Sequence, residues 1–193
     1  EKKWEKILLA AMLILPSMTV WAQVTAERLP IADVALNKPV YVSSILDKTG
    51  TDKTYMVDNE DDGAVTYWQP SDSEPVTNTY AIVDLTQKYA ISRIELDMTS
   101  KRSFTVSVSN DMNDAASWIT VHSQGNTAFE GDTLVIHPNL GRKYRFVRLA
   151  RRIGSGMSDE FKVSGFRVYA PCDYNLEEIA EGKAVTANTL DES

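Results

Sequence analysis

The stretch FTVSVS at residues 104–109 does most to narrow what this chain can become. Phe104, Val106 and Val108 alternate with Thr105, Ser107 and Ser109. On a strand, successive side chains leave opposite faces, so this spacing gives one apolar and one polar face. The same order recurs in residues 91–98, where Ile94, Leu96 and Met98 share one face and Glu95 and Asp97 the other. Segments 79–85, 118–122, 133–136, 144–149 and 161–169 have strand character too. Turn signals punctuate them: Asn110-Asp111, Gly125-Asn126, Glu130-Gly131-Asp132, Pro138-Asn139-Leu140-Gly141 and Gly154-Ser155-Gly156. No helical periodicity of three turns occurs between the leader and Asn175. Seven or eight short strands so spaced predict an all-β fold, an antiparallel β-sandwich or jelly roll.

The ends of the chain are different. Lys2, Lys3 and Lys6 precede an apolar run that stops at Pro16, and Val20-Trp21-Ala22 is a small-x-small cleavage pattern. Residues 1–22 are therefore expected to be a secretory signal peptide, which places the mature protein outside the cytoplasm, secreted, periplasmic or on the cell surface. The run is too short for a transmembrane segment. Residues 23–33 read as a linker, 34–170 as one module, and 171–193 as a second linker leading into a further, truncated module. That last reading rests on a repeat: Lys38-Pro39-Val40 returns as Lys183-Ala184-Val185.

The formal net charge of −7 argues against nucleic acid and anionic lipid as partners, because both select a positive footprint. Neutral sugars and cationic partners stay open. The single cysteine, Cys172, has no partner within the chain for a disulfide. No Ser-His-Asp arrangement with motif context, no metalloprotease HExxH and no glycine-rich nucleotide loop is present. The carboxylates are plentiful but fall on turns or polar strand faces, not in the facing pair a glycosidase needs. A non-catalytic module is expected.

Several stretches, in order, resemble one family. Residues 34–40 (VALNKPV) are similar to its opening N-x-A-x-G-K-P-V, and 56–68, from Met56-Val57-Asp58 to Thr66-Tyr67-Trp68, to its DG-x-x-x-T-x-W loop. Residues 81–85 and then 89–94 resemble I-x-V-D-L-G…Y-x-I-x-x-I. Residues 104–118 resemble Y-x-V-x-V-S-x-D-G…W, and 144–149 and 163–169 its last two strands. The family is the discoidin or coagulation factor 5/8 type C domain, whose bacterial relatives form carbohydrate-binding module family 32. The resemblance implies an eight-stranded, galactose-binding-like jelly roll that meets ligands with loops at one end. It implies a carbohydrate-binding module that tethers an attached enzyme or surface protein to extracellular glycans. The same fold also serves protein–protein adhesion, which is the alternative.

Site residues follow from the loops. Lys101-Arg102 stands where the family's sugar binders often carry arginine, and Arg151-Arg152 forms a second basic stretch. A guanidinium donates paired hydrogen bonds to vicinal hydroxyls or to a carboxylate, so a converging Arg102, Arg151 and Arg152 suit an acidic sugar as well as a galactose type. Gln69 opens a polar loop that reaches Asn78. Trp68, Tyr67 and Trp118 could stack on a pyranose, although the resemblance places both tryptophans in the core. Asp58, Glu60, Asp61 and Asp62 put four acids in five residues ahead of Gly63 and Thr66. Calcium takes about six to eight oxygen ligands, and a curved acidic loop can supply them. The resemblance carries a structural calcium to Asp58 and Thr66, with Asp61 or Asp62 as substitutes. Against it, the loop is longer than the family's, and Gly165 stands where a glutamate commonly completes the site.

Overall fold

The computed structural model describes residues 29–59, 66–153 and 160–172. The expected leader, the tail repeat, Asp61, Asp62 and the Gly154-Ser155-Gly156 turn lie outside the described residues. Among the described residues nine strands form two antiparallel sheets, the all-β sandwich that the alternation predicts. They are β1 (Ile31–Asp33), β2 (Val40–Val42), β3 (Tyr80–Tyr89), β4 (Arg93–Met98), β5 (Phe104–Ser109), β6 (Ile119–Gln124), β7 (Thr133–Ile136), β8 (Tyr144–Arg151) and β9 (Val163–Pro171). One sheet has the order β1-β9-β4-β7 and the other β2-β3-β8-β5-β6. The helical elements among the described residues are three short 3-10 turns. None of these is long and apolar enough to cross a membrane.

The inner faces are the apolar faces of the sequence pattern. Val83 and Leu85 of β3, Val106 and Val108 of β5, and Val147 and Leu149 of β8 meet Ile94, Leu96, Phe166 and Val168 from the opposite sheet. All are fully buried. Trp68, also buried at 0%, comes from no strand; it pairs in an isolated bridge with Val163 and packs edge-on to Phe161, ring centroids 6.1 Å apart. β1 lies inside the stretch read as a linker, and it closes the edge of the four-stranded sheet by pairing Ile31 with Pro171.

β3 runs four residues past the predicted end because it carries an irregularity. The register with β8 shifts between Asp84 and Tyr89. Within it Thr86 has φ 68, a left-handed conformation that crowds a β-branched side chain. The family pattern has glycine at this position. We expect Thr86→Gly to raise stability by about 0.5–1 kcal/mol, the relieved strain outweighing glycine's larger unfolded entropy. A higher denaturant midpoint at unchanged slope would bear this out, and a lower midpoint would show that Thr86 is unstrained.

Candidate functional site

Register decides which loops share an end of the sandwich. Val42 pairs with Ala81, Tyr80 with Ala150, Phe104 with both Arg151 and Gln124. In the other sheet Asp97 pairs with Thr133, and Met98 with Val163. The exits of β2, β4, β6 and β8 and the entries of β3, β5, β7 and β9 therefore lie together. The loops after Val42, before Tyr80, between β4 and β5, between β6 and β7, and between β8 and β9 form one rim. Gln69, Arg102, Arg151 and Arg152, widely spaced in sequence, all belong to it.

Backbone bonds fix these loops to one another. Leu46 N–H donates to Gln69 O at 2.8 Å, and Phe129 N–H to Lys101 O at 3.0 Å. Ser103 is the junction. It is buried and left-handed at φ 58, its N–H donates to Gly125 O at 2.8 Å, and its carbonyl accepts from Arg152 N–H at 2.7 Å. Its hydroxyl donates to Asn126 Oδ1 at 3.2 Å. A non-glycine residue held in this conformation by bonds on every side sets the path of Arg102 just before it.

The cations of the rim differ in freedom. Lys101 Nζ reaches Gly131 O and lies 3.4 Å from Asp132 Oδ1. Lys162 pairs with Glu160 at 3.0 Å, and that hydrogen bond holds its ammonium above the usual range. Lys162 Nζ also sits 4.8 Å from the centroid of the Tyr67 ring, and Tyr67 is buried. Arg151 and Arg152 are consecutive on extended chain and part company: the Arg151 guanidinium lies 5.3 Å from the centroid of the Phe161 ring, whereas Arg152 Nη1 donates to Ser123 Oγ at 2.7 Å on β6. Arg102 is half-buried and makes no hydrogen bond or ion pair among the described residues.

Two of the predicted site residues take structural places. Trp68 has no exposed surface and donates from Nε1 to Ser44 O at 2.9 Å, so its ring offers no face to a sugar. Its size and its bridge to Val163 make it the link between the rim loop and the core. Gln69 is 7% exposed and contributes chiefly its carbonyl. Trp118 is half-buried, not enclosed, and is stacked beneath Arg148 at 4.2 Å. Sequence reasoning passed over Arg148, because a charge on the polar face of a strand reads as solvated.

Of the acidic loop, Asp58, Asn59 and Thr66 are among the described residues. Asn59, after Asp58, turns left-handed at φ 60. No cluster of three or more His, Cys, Asp or Glu suited to a metal occurs among the described residues. At Gly165, a Cβ would fall inside contact distance of the Asp97 carboxylate and 2.8 Å from Arg167 Nη1. Arg167 bridges Asp97 at 2.7 Å and Glu95 at 3.1 Å over that space, which a glutamate side chain would have to displace. A completing carboxylate is thus excluded at position 165 as the face stands.

Two antiparallel sheets with a rim of cross-linked loops at one end define a galactose-binding-like β-sandwich. Residues 55–149 match the family described as NedA-like, galactose-binding domain, of the F5/8 type C group. Over those residues the sandwich is similar to F5/8 type C domains. Among solved structures, chitosan-binding module 1 of a chitosanase/glucanase from Paenibacillus sp. IK-5 is 24% identical, with a TM-score of 0.57 over 72% of this chain and 99% of that one. Module 2 of that enzyme, solved in complex with chitotriose, is 26% identical, TM-score 0.56, over 72% and 100%. Module CBM32-4 of Clostridium perfringens, in complex with glcNAc-alpha-1,4-galactose, is 18% identical, TM-score 0.56, over 73% and 95%. No curated protein matches the chain. The domain resembles non-catalytic carbohydrate-binding modules.

Proposed function

We propose that the rim binds one or a few units of an extracellular glycan and thereby tethers whatever is joined to this domain. The observation that carries this is Arg102. It is an arginine on a loop braced by Ser103, with no partner among the described residues, on a domain whose relatives include a module seen with chitotriose. Its planar donors suit vicinal hydroxyls. A few hydrogen bonds give weak affinity, which a second module in the same polypeptide would raise by effective concentration. Export by the basic-apolar leader puts the domain where such glycans are. Arg102→Ala is expected to weaken glycan binding about tenfold or more without lowering the melting temperature, since one lost charge-assisted pair is worth ~1.5–3 kcal/mol. A glycan array with well-folded protein tests the reading: no sugar retained would favour adhesion to protein instead.

A structural calcium belongs to the same reading. Asp58 and Thr66 would hold it together with Asp61 or Asp62 and loop carbonyls, since position 165 does not help. Added calcium should raise the melting temperature of the chelator-treated protein, and Asp58→Ala should remove that rise. An identical melting temperature with and without calcium would dismiss the ion.

A further inference from the structure

The outer face of the five-stranded sheet carries an arginine that the fold does not neutralise. Register sets Ile82, Arg148, Ser107 and Thr120 in one row across four strands. The Arg148 guanidinium carbon lies over the half-buried Trp118 ring, 4.2 Å from its centroid. The Arg148 Nε is buried without a hydrogen bond, and among the described residues no carboxylate pairs with it. Arg93 and Arg151 share the buried Nε, so the distinction lies in the carboxylates, which three other strand arginines have. Arg93 pairs with Glu95, Arg145 with Asp84, and Arg167 with both Glu95 and Asp97. Burial pulls Arg148 below the ordinary arginine range, opposed only by the nearby Tyr80 phenol.

The surroundings suit a particular kind of anion. The exposed Thr120 carries a hydroxyl in the same row, 3.4 Å from that of the buried Ser107. Tyr80 and Trp118 flank Arg148 from β3 and from the entry to β6, giving ring surface for the apolar face of a pyranose. A guanidinium over an indole still carries the planar fork of N–H donors that takes a carboxylate by two hydrogen bonds. Hydroxyls and rings beside it favour a sugar acid over a bare ion.

We propose that this sheet face is a second carbohydrate site, separate from the rim, that takes a uronic acid unit with Arg148 anchoring the carboxylate. It does not depend on the rim reading, because no rim loop contributes to the row. The test is a titration of the whole chain with a galacturonate trisaccharide at low salt, followed by NMR at the Trp118 indole N–H, assigned by its loss in Trp118→Phe. The expected result is saturable movement of that resonance in the millimolar range. Arg148→Gln should weaken binding at least tenfold, and Arg142→Gln, in the exposed turn at the far end of the sandwich, should leave it unchanged. Arg148→Lys, which keeps the charge without the fork, should fall between and serves if Arg148→Gln does not fold. No movement of the wild-type signal overturns the proposal. So does equal binding of the fully methyl-esterified trisaccharide, which lacks the carboxylate, or equal binding of an oligoglutamate, which has carboxylates but no sugar.

Discussion

Trp68→Ala is expected to cost about 4 kcal/mol of folding free energy, enough to leave a domain of ordinary stability barely folded at room temperature. The residue is fully enclosed, meets Phe161 edge-on, and donates to Ser44 O. Removing it opens a cavity where the rim loop joins β9, and the loop cannot collapse to fill it without breaking the paired backbone bonds to Val163, both 2.9 Å. Chemical denaturation followed by circular dichroism measures the loss. Trp68→Phe separates packing from recognition. It should cost ~1–2 kcal/mol for the lost indole bond and volume and leave glycan affinity unchanged. Reduced affinity in a well-folded Trp68→Phe protein would return the ring to the binding site.

The second large effect lies at the far end of the sandwich. Asp84 is buried, and both its oxygens accept from Arg145, at 2.7 and 2.8 Å. It also accepts from Thr86 N–H at 2.8 Å, which steadies the left-handed turn there. The Arg145 hydrogen bonds are the chief reason its carboxyl titrates below the ordinary aspartate range. Asp84→Ala should cost about 2 kcal/mol at neutral pH, toward the low side for bonds to a charged group because Arg145 is 42% exposed. The sign with pH follows from the depressed value. The stabilisation is fully present above the unfolded aspartate pKa of about 3.9 and fades as pH falls through the lower folded value. The gap between wild type and Asp84→Ala should therefore narrow below about pH 4. A gap of the same size at pH 7 and pH 2.5 would mean that the loss is one of shape and not of charge.

The strands were the most legible part of the molecule, because alternation along one buried face is written directly in residue order. Val106 and Val108, or Ile94 and Leu96, have no other way to be buried together. β1 was hidden because three residues, IAD, are too few to show a period, and what makes them a strand is their pairing with β9 far downstream. The end of β3 was misplaced for a related reason: Thr86, Gln87 and Lys88 are polar and carry no alternation across the register shift. The rim residues were legible as loop residues, but their directions were not. Arg151 and Arg152 look like one basic patch in sequence, and extended backbone sends them to Phe161 and Ser123 instead. Arg148 was invisible as a site residue because only the three-dimensional neighbourhood shows that it lacks an acid.

The central claim is that the loop end, and not the opposite end, meets glycan. Mapping backbone amide shifts of isotope-labelled protein during titration with chitotriose and with galactose-containing oligosaccharides tests it directly. The account predicts shifts gathered at Lys101, Arg102, Gly125, Asn126 and Arg152. Shifts confined to the far turns around Gln87, Asn110 and Gly141, or none with any sugar, would contradict it.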